Sequence, residues 1–142
     1  MLRKTIVSNL LVTFSAAIFG ILGLVHLLIT FIGNRMHPKN PELIELMKDG
    51  ALVIDPSTNA WRGWIGFNAS HSLGMILFGC IYGFLSLVLP KVFFGSYFLI
   101  GVGALTLLGF LVLAKKYWFN IPFFGVGISL ILYISGIVLG IS

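Results

Sequence analysis

Four long apolar runs dominate this sequence, at residues 6–32, 64–89, 92–114 and 119–141. Each run is long enough to form a helix that crosses a bilayer, because about 20 apolar residues span the hydrocarbon core. Charged residues make up only 9 % of the 142-residue chain, and its mean hydropathy is +1.08. A soluble domain typically carries about 25 % charged residues. The sequence therefore predicts a single-domain, all-α membrane protein with four antiparallel transmembrane helices in an up-down bundle.

The basic residues indicate where the chain meets lipid headgroups. The net charge is +5, and the nine Lys and Arg residues are scattered near the ends of the apolar runs, where long cationic side chains reach the interface. No basic stripe with interleaved aromatic residues occurs, so nucleic-acid binding is not predicted. We expect a multi-pass protein of the cell membrane, the bacterial inner membrane, in contact with membrane lipids. The positive-inside count and the basic N-terminus favour opposite orientations, which stay open.

The one substantial polar segment is the extramembrane loop 33–63, which separates the first two helices. It contains all four acidic residues of the chain. Asn40 followed by proline and glutamate has the form of a helix start, and Gly50 is a plausible stop. These signals predict a short amphipathic helix over Pro41–Asp49, lying along the bilayer surface. At the other end of the second helix, Pro90 and Lys91 predict a very short loop.

Polar and small residues occupy one face of each of the first two predicted helices. At about 100° per residue, the polar positions of the second helix fall within one arc. Polar groups are costly in hydrocarbon, so both faces are expected to point into the bundle. The faces comprise Ala16, Phe19, Gly23, His26, Thr30 and Gly33 in the first helix, and Asn68, His71, Ser72, Met75, Gly79, Tyr82 and Ser86 in the second.

His26 and His71 are predicted to lie at the same depth. At about 1.5 Å rise per residue, each is roughly 10–12 Å from the same membrane surface. If the first two helices are neighbours, the two imidazoles can approach each other. The candidate ligand-binding set around them is His26, Thr30, Asn68, His71, Ser72 and Tyr82.

Four interpretations of this histidine pair stay open. His26 and His71 could be the two axial ligands of a haem inside the bundle. They could line a pocket for a lipophilic molecule such as a quinone or a lipid headgroup, with nearby amide and hydroxyl groups as hydrogen-bond partners. They could form a proton-accepting site in a transporter. The plainest alternative is that each imidazole bonds to the adjacent helix and fixes its packing.

The sequence argues against several kinds of chemistry. No acidic or basic residue lies in the central part of any span, so a carboxylate relay for coupled transport is not expected. No metal site is predicted, because His37 lies in the loop and no third ligand is evident. Ser70 and His71 are helix neighbours that point about 100° apart, so they do not form a nucleophile–base pair. If any residues do acid–base work, the arrangement to test is His71 with an acid from the loop (Glu42, Glu45 or Asp55) folded over the mouth of the bundle.

Paired glycines in the second and fourth helices predict close helix packing. Gly79 and Gly83 are four residues apart, as are Gly136 and Gly140. The alternative is a homodimer, or a larger membrane complex, with a partner seated on the fourth helix. A chain with so little outside its apolar runs is a reasonable candidate for an accessory subunit.

Residues Gly63–Gly74 read GWIGFNASHSLG. This stretch resembles the signature stretch of small, uncharacterised four-helix bacterial inner-membrane proteins. The resemblance implies a compact four-span bundle and no particular activity. The leading functional hypothesis is an integral membrane protein without a catalytic motif, either an accessory subunit or a binder of a lipophilic ligand around His26, Asn68 and His71. The alternatives are a bis-histidine haem protein and a small membrane enzyme acting on a lipid-like substrate.

Overall fold

A computed structural model describes residues 2–141 of the chain. The described residues are predominantly helical, which confirms the predicted all-α class. Four of the helices, α1, α3, α5 and α6, are long and apolar enough to cross a membrane. The helices are α1 (Leu2–Phe31), α2 (Pro41–Asp49), α3 (Ala60–Val88), α4 (Pro90–Phe94), α5 (Tyr97–Tyr117) and α6 (Asn120–Ile141).

The third apolar run differs from the prediction of one helix over 92–114. Pro90 begins the five-residue helix α4 instead of a loop, because proline suits the first helical turn, where an N–H is not needed. The chain then breaks at Gly95 and Ser96. The Ser96 hydroxyl accepts a hydrogen bond from the Leu99 N–H at 3.3 Å, which caps the start of α5. Helix α5 continues through the two lysines to Tyr117, since cations suit a helix C-terminus.

Helix α3 begins at Ala60, four residues before the apolar run that predicts it. The cause is Asn59, whose side-chain oxygen accepts a hydrogen bond from the Arg62 N–H at 2.9 Å. The amide group of Asn59 also donates to the Lys48 carbonyl at 2.8 Å, which ties the start of α3 to the end of α2. A polar cap, and not the apolar pattern, therefore sets this helix boundary.

The loop before α3 is built largely as predicted. Asn40 caps α2 by accepting a hydrogen bond from the Glu42 N–H at 3.0 Å, and Gly50 ends that helix. The carboxylate of Asp55 accepts a hydrogen bond from the Ser57 N–H at 2.8 Å, which forms a turn. That donor lowers the pKa of the exposed Asp55 carboxyl below its ordinary value.

The described chain forms two compact units, and α1 and α3 each contribute residues to both. The smaller unit is Gly23–Gly74 and contains the loop with α2. The larger unit comprises residues 2–22 and 75–141. Its core is a group of buried aromatic side chains in edge-to-face and stacked contact: Phe19, Phe78, Tyr82, Phe93 and Tyr133.

The predicted inner faces of α1 and α3 are largely confirmed by burial, except at Gly33, which is exposed and lies beyond the end of α1. In α1, Ala16 and Phe19 are fully buried, whereas Phe14 on the opposite side is 58 % exposed. In α3, Met75 is buried and Leu77 is 60 % exposed. The periodicity of the sequence therefore identifies the packed side of both helices.

Glycine allows backbone contact between α1 and α3 in the larger unit. A Cβ atom on Gly79 would lie 2.8 Å from the Cα of Gly20 and 3.0 Å from the carbonyl oxygen of Ala16. A Cβ atom on Gly83 would lie 4.0 Å from the Ala16 side chain, which is an ordinary contact. Of the predicted packing pair, Gly79 is therefore the residue at the close approach.

The glycine pair of α6 also packs within the chain. A Cβ atom on Gly136 would lie 2.7 Å from Val12 and 3.0 Å from the carbonyl oxygen of Ser8, and one on Gly140 would overlap the ring of Phe94. These contacts account for the small residues without a second chain. A homodimer or a larger complex through α6 stays a prediction.

Hydroxyl pairs join the helices of the larger unit, and the sequence analysis did not identify them as pairs. The Ser15 and Ser129 hydroxyls are 2.9 Å apart, and Ser129 Oγ also donates to the Ser15 carbonyl. The Thr13 and Ser86 hydroxyls are 2.8 Å apart. Such pairs satisfy polar groups that would be costly if left unbonded in an apolar setting.

Candidate functional site

The smaller unit brings three predicted site residues together. His26 comes from α1, and its Nε2 atom lies 3.0 Å from the Asn68 side-chain oxygen on α3. The rings of His26 and His71 are in edge contact, with centroids 5.4 Å apart. The two imidazoles thus approach each other closely, as their predicted depths suggested. We call His26, Asn68 and His71 the histidine–amide cluster.

The Asn68 amide fixes the orientation of the hydrogen bond to His26. The Asn68 NH₂ group donates to the Trp64 carbonyl at 2.8 Å, one turn earlier in α3. Because a carbonyl only accepts, the Asn68 oxygen must face His26 and accept from it. Neutral His26 therefore carries its proton on Nε2, which leaves Nδ1 as the acceptor nitrogen of the ring.

The cluster is only partly enclosed. Asn68 is 7 % exposed, whereas both imidazoles are half-buried. The Phe67 ring stacks on His71 with centroids 6.1 Å apart and an interplanar angle of 26°. The site therefore combines a buried amide with two imidazole side chains that are partly exposed.

Thr30 and Ser72 are buried beside the cluster, but their hydroxyls bond to their own helices. Thr30 donates to the His26 carbonyl and Ser72 to the Asn68 carbonyl, both at 2.8 Å. These bonds occupy the donor of each hydroxyl. Each hydroxyl therefore bonds to the backbone of a cluster residue one helical turn earlier, Thr30 to His26 and Ser72 to Asn68.

Tyr82, the remaining predicted ligand-binding residue, belongs to the larger unit. It is 5 % exposed, and its hydroxyl donates to the Leu99 carbonyl at 2.8 Å. Its ring is part of the aromatic core, where it stacks on Phe78 with centroids 4.3 Å apart. These contacts give Tyr82 a packing role between α3 and α5.

Two tryptophans hold the first residues of the loop against α3. The Trp64 indole N–H donates to the Met36 carbonyl at 3.2 Å, and the His37 ring contacts the Trp61 ring edge-on at 4.9 Å. The sequence analysis did not predict the Met36 contact, because the acceptor is a backbone carbonyl. Trp64 thus joins the loop to Asn68, since its indole donates to Met36 while its carbonyl accepts from Asn68.

The loop acids proposed for acid–base work are engaged elsewhere in two cases. Glu45 forms an exposed ion pair with Lys48 at 2.8 Å, and Asp55 accepts from the Ser57 N–H in its turn. Among residues 2–141, no group of three or more His, Cys, Asp or Glu side chains is placed to hold a metal ion. Two of the three proposed acids therefore have contacts of their own within the loop.

Comparison with known proteins adds no relative: no family model, curated protein or solved structure matches this chain. The resemblance of Gly63–Gly74 to small four-helix membrane proteins stays a prediction. The functional argument therefore depends on the residues and contacts described above.

Proposed function

We propose that this chain is a multi-pass integral membrane protein of the bacterial inner membrane, and that its histidine–amide cluster binds the polar head of a lipophilic molecule. The ligand class is an apolar molecule with a hydroxyl head, such as a quinol. The observation that carries the proposal is the pair of half-buried imidazoles, one of which is held by a buried amide.

The exposed surfaces of the four long helices support placement in a membrane. Each helix leaves large apolar side chains more than half exposed, among them Phe14, Leu77, Leu105 and Ile131. In water such surfaces would drive aggregation, whereas acyl chains solvate them. Charged residues are 9 % of the sequence, too few to cover these surfaces.

The connections between helices favour an up-down bundle. Only Trp118 and Phe119 separate α5 from α6, and the short helix α4 links α3 to α5. Short connections make sequential helices antiparallel neighbours. Four spans of alternating direction place both termini on the same side of the membrane.

Ligand recognition at the cluster follows from the tautomer of His26. Its Nε2–H donates to Asn68, so Nδ1 accepts a hydrogen bond from a ligand hydroxyl, while the His71 ring lies against the same head group. Haem ligation has less support, because the rings are in edge contact and Nε2 of His26 is already bonded. Coordinating a haem iron between the two rings would require the rings to separate and Nε2 of His26 to give up its hydrogen bond to Asn68.

Quinol titration into nanodiscs tests this proposal. We expect decylubiquinol, the reduced form whose head carries hydroxyl donors, to quench the tryptophan fluorescence of the wild-type protein in a saturable way. Asn68→Leu should weaken the apparent affinity about tenfold, because the neutral His26 ring loses the partner that fixes its tautomer. His26→Leu should weaken it at least as much. Ser70→Ala is the matched control, since Ser70 is exposed on the same helix and its hydroxyl donates only to the Phe67 carbonyl.

Two outcomes would contradict the proposal. One is equal quenching curves for wild type, Asn68→Leu and His26→Leu. The other is a Soret absorption band in wild-type protein supplemented with haem that disappears in His26→Leu, which would favour the haem alternative instead.

A further inference from the structure

A groove lies between the end of α5 and the start of α6 in the larger unit. Its volume is about 250 Å³, and its apolar walls are formed by Leu111, Val112 and Phe123. Lys115 and Lys116 complete the lining and carry the only charges there. The groove is therefore apolar along its length and basic where α5 ends.

The two lysines have no acidic residue near them in sequence. All four acids of the chain lie between residues 42 and 55, so α5 and α6 contain none. The Lys115 ammonium lies 5.3 Å from the centroid of the Phe123 ring, and that of Lys116 lies 5.9 Å from the Tyr117 ring. Both lysines are exposed. Ring contact leaves ammonium protons available to an anionic oxygen, since a ring face takes up only part of the ammonium surface.

We propose that this groove binds one anionic phospholipid. An acyl chain lies against Leu111, Val112 and Phe123, and the phosphate contacts Lys115 and Lys116. The lysines stand beside Tyr117 and Trp118, residue types that favour the headgroup region, so the basic end of the groove is at the correct depth. Basic pockets between transmembrane helices recognise lipid phosphates in this way.

Charge complementarity selects an anionic lipid over a zwitterionic one. Two cations on a helix that contains no acidic residue attract a net negative headgroup, whereas phosphatidylcholine brings its own cation. The apolar walls select a lipid over a free anion, because phosphate alone would leave them uncovered. This inference rests on the proposed membrane placement and is independent of the histidine–amide cluster.

Native mass spectrometry of the delipidated full-length protein tests the site. We expect phosphatidylglycerol to bind more tightly than phosphatidylcholine with the same acyl chains. Lys115→Gln with Lys116→Gln should weaken phosphatidylglycerol binding by about 25-fold, or about fivefold for each lysine removed. Lys39→Gln with Lys91→Gln is the matched control, because it removes two other exposed lysines and should change binding less than twofold. Lys115→Arg with Lys116→Arg should retain binding.

Filling the groove tests the acyl part separately. Val112→Trp places a large ring in the groove and leaves both lysines intact, so we expect it to displace the bound lipid. Equal binding of the two lipids, no change in the glutamine double variant, or saturation of the site by inorganic phosphate alone would overturn the proposal. Such results with normal quinol binding would leave the histidine–amide cluster proposal intact, whereas a protein monodisperse without detergent would overturn both.

Discussion

Replacing Tyr133 by alanine should lower the free energy of unfolding by about 3–5 kcal/mol, the largest effect we expect from a single substitution. Tyr133 is fully buried, and its ring lies 5.9 Å from the Tyr82 ring and 6.2 Å from the Phe93 ring. Its hydroxyl donates to the Ile100 carbonyl at 3.0 Å. Alanine would leave a cavity of the size of a phenol ring at the centre of the larger unit. Thermal and denaturant unfolding in detergent, followed by circular dichroism, measures the change.

Tyr133→Phe is the matched control for this prediction. It retains the ring and removes only the hydroxyl, so we expect a loss of about 1 kcal/mol. The Ile100 carbonyl is in α5, where it can keep its helical hydrogen bond. Similar losses for the alanine and phenylalanine variants would contradict the described ring packing.

Gly79→Ala should lower the free energy of unfolding by about 3 kcal/mol, the second large effect. The added Cβ would meet the Gly20 Cα and the Ala16 carbonyl oxygen, and both are backbone atoms that cannot rotate away. The two helices must therefore move apart along the whole contact. The same unfolding measurements report the loss.

Two other glycines of α3 provide controls for Gly79. A Cβ on Gly74 would have no neighbour within 4 Å, so Gly74→Ala should be neutral or stabilise by up to about 1 kcal/mol through the better helix propensity of alanine. Gly83→Ala should cost little, because its new Cβ would make only an ordinary contact with Ala16. Equal effects at all three positions would exclude a specific close approach at Gly79.

Periodicity was sufficient to predict the packed faces of α1 and α3. Apolar and polar residues of a helix separate by angle, so Ala16 and Phe19 could be assigned to the inside, where both are fully buried. The helical rise placed His26 and His71 at one depth, but their close approach also required the first two helices to be neighbours. Angle and depth depend on local geometry, whereas the pairing of helices does not.

The features that the sequence did not predict depend on single polar contacts. The break between α4 and α5 lies in an apolar run, where hydropathy is uniform and only the Ser96 cap marks the new helix start. The Ser15–Ser129 pair joins residues 114 positions apart, so no local pattern can reveal it. The sequence alone does not distinguish Gly20 from the other glycines of α1, because its role depends on its backbone contact with Gly79 of α3.

A chain of three hydrogen bonds links the loop to His26 in the smaller unit. The Trp64 indole donates to Met36, the Asn68 amide donates to the Trp64 carbonyl, and His26 donates to the Asn68 oxygen. Each bond sets the orientation of the next group. The loop therefore helps to determine which nitrogen of His26 is available to a ligand.

The tautomer of His26 tests the central claim most directly. Solid-state NMR of protein with ¹⁵N-labelled histidine and ¹³C-labelled asparagine, in bilayers at a pH where imidazole is neutral, would identify the protonated nitrogen. We predict a proton on Nε2 of His26 and a through-space correlation between that nitrogen and the Asn68 side-chain carbon. The correlation should be absent in Asn68→Leu and retained in Ser70→Ala. A proton on Nδ1, or no correlation with Asn68 in the wild-type protein, would contradict the account.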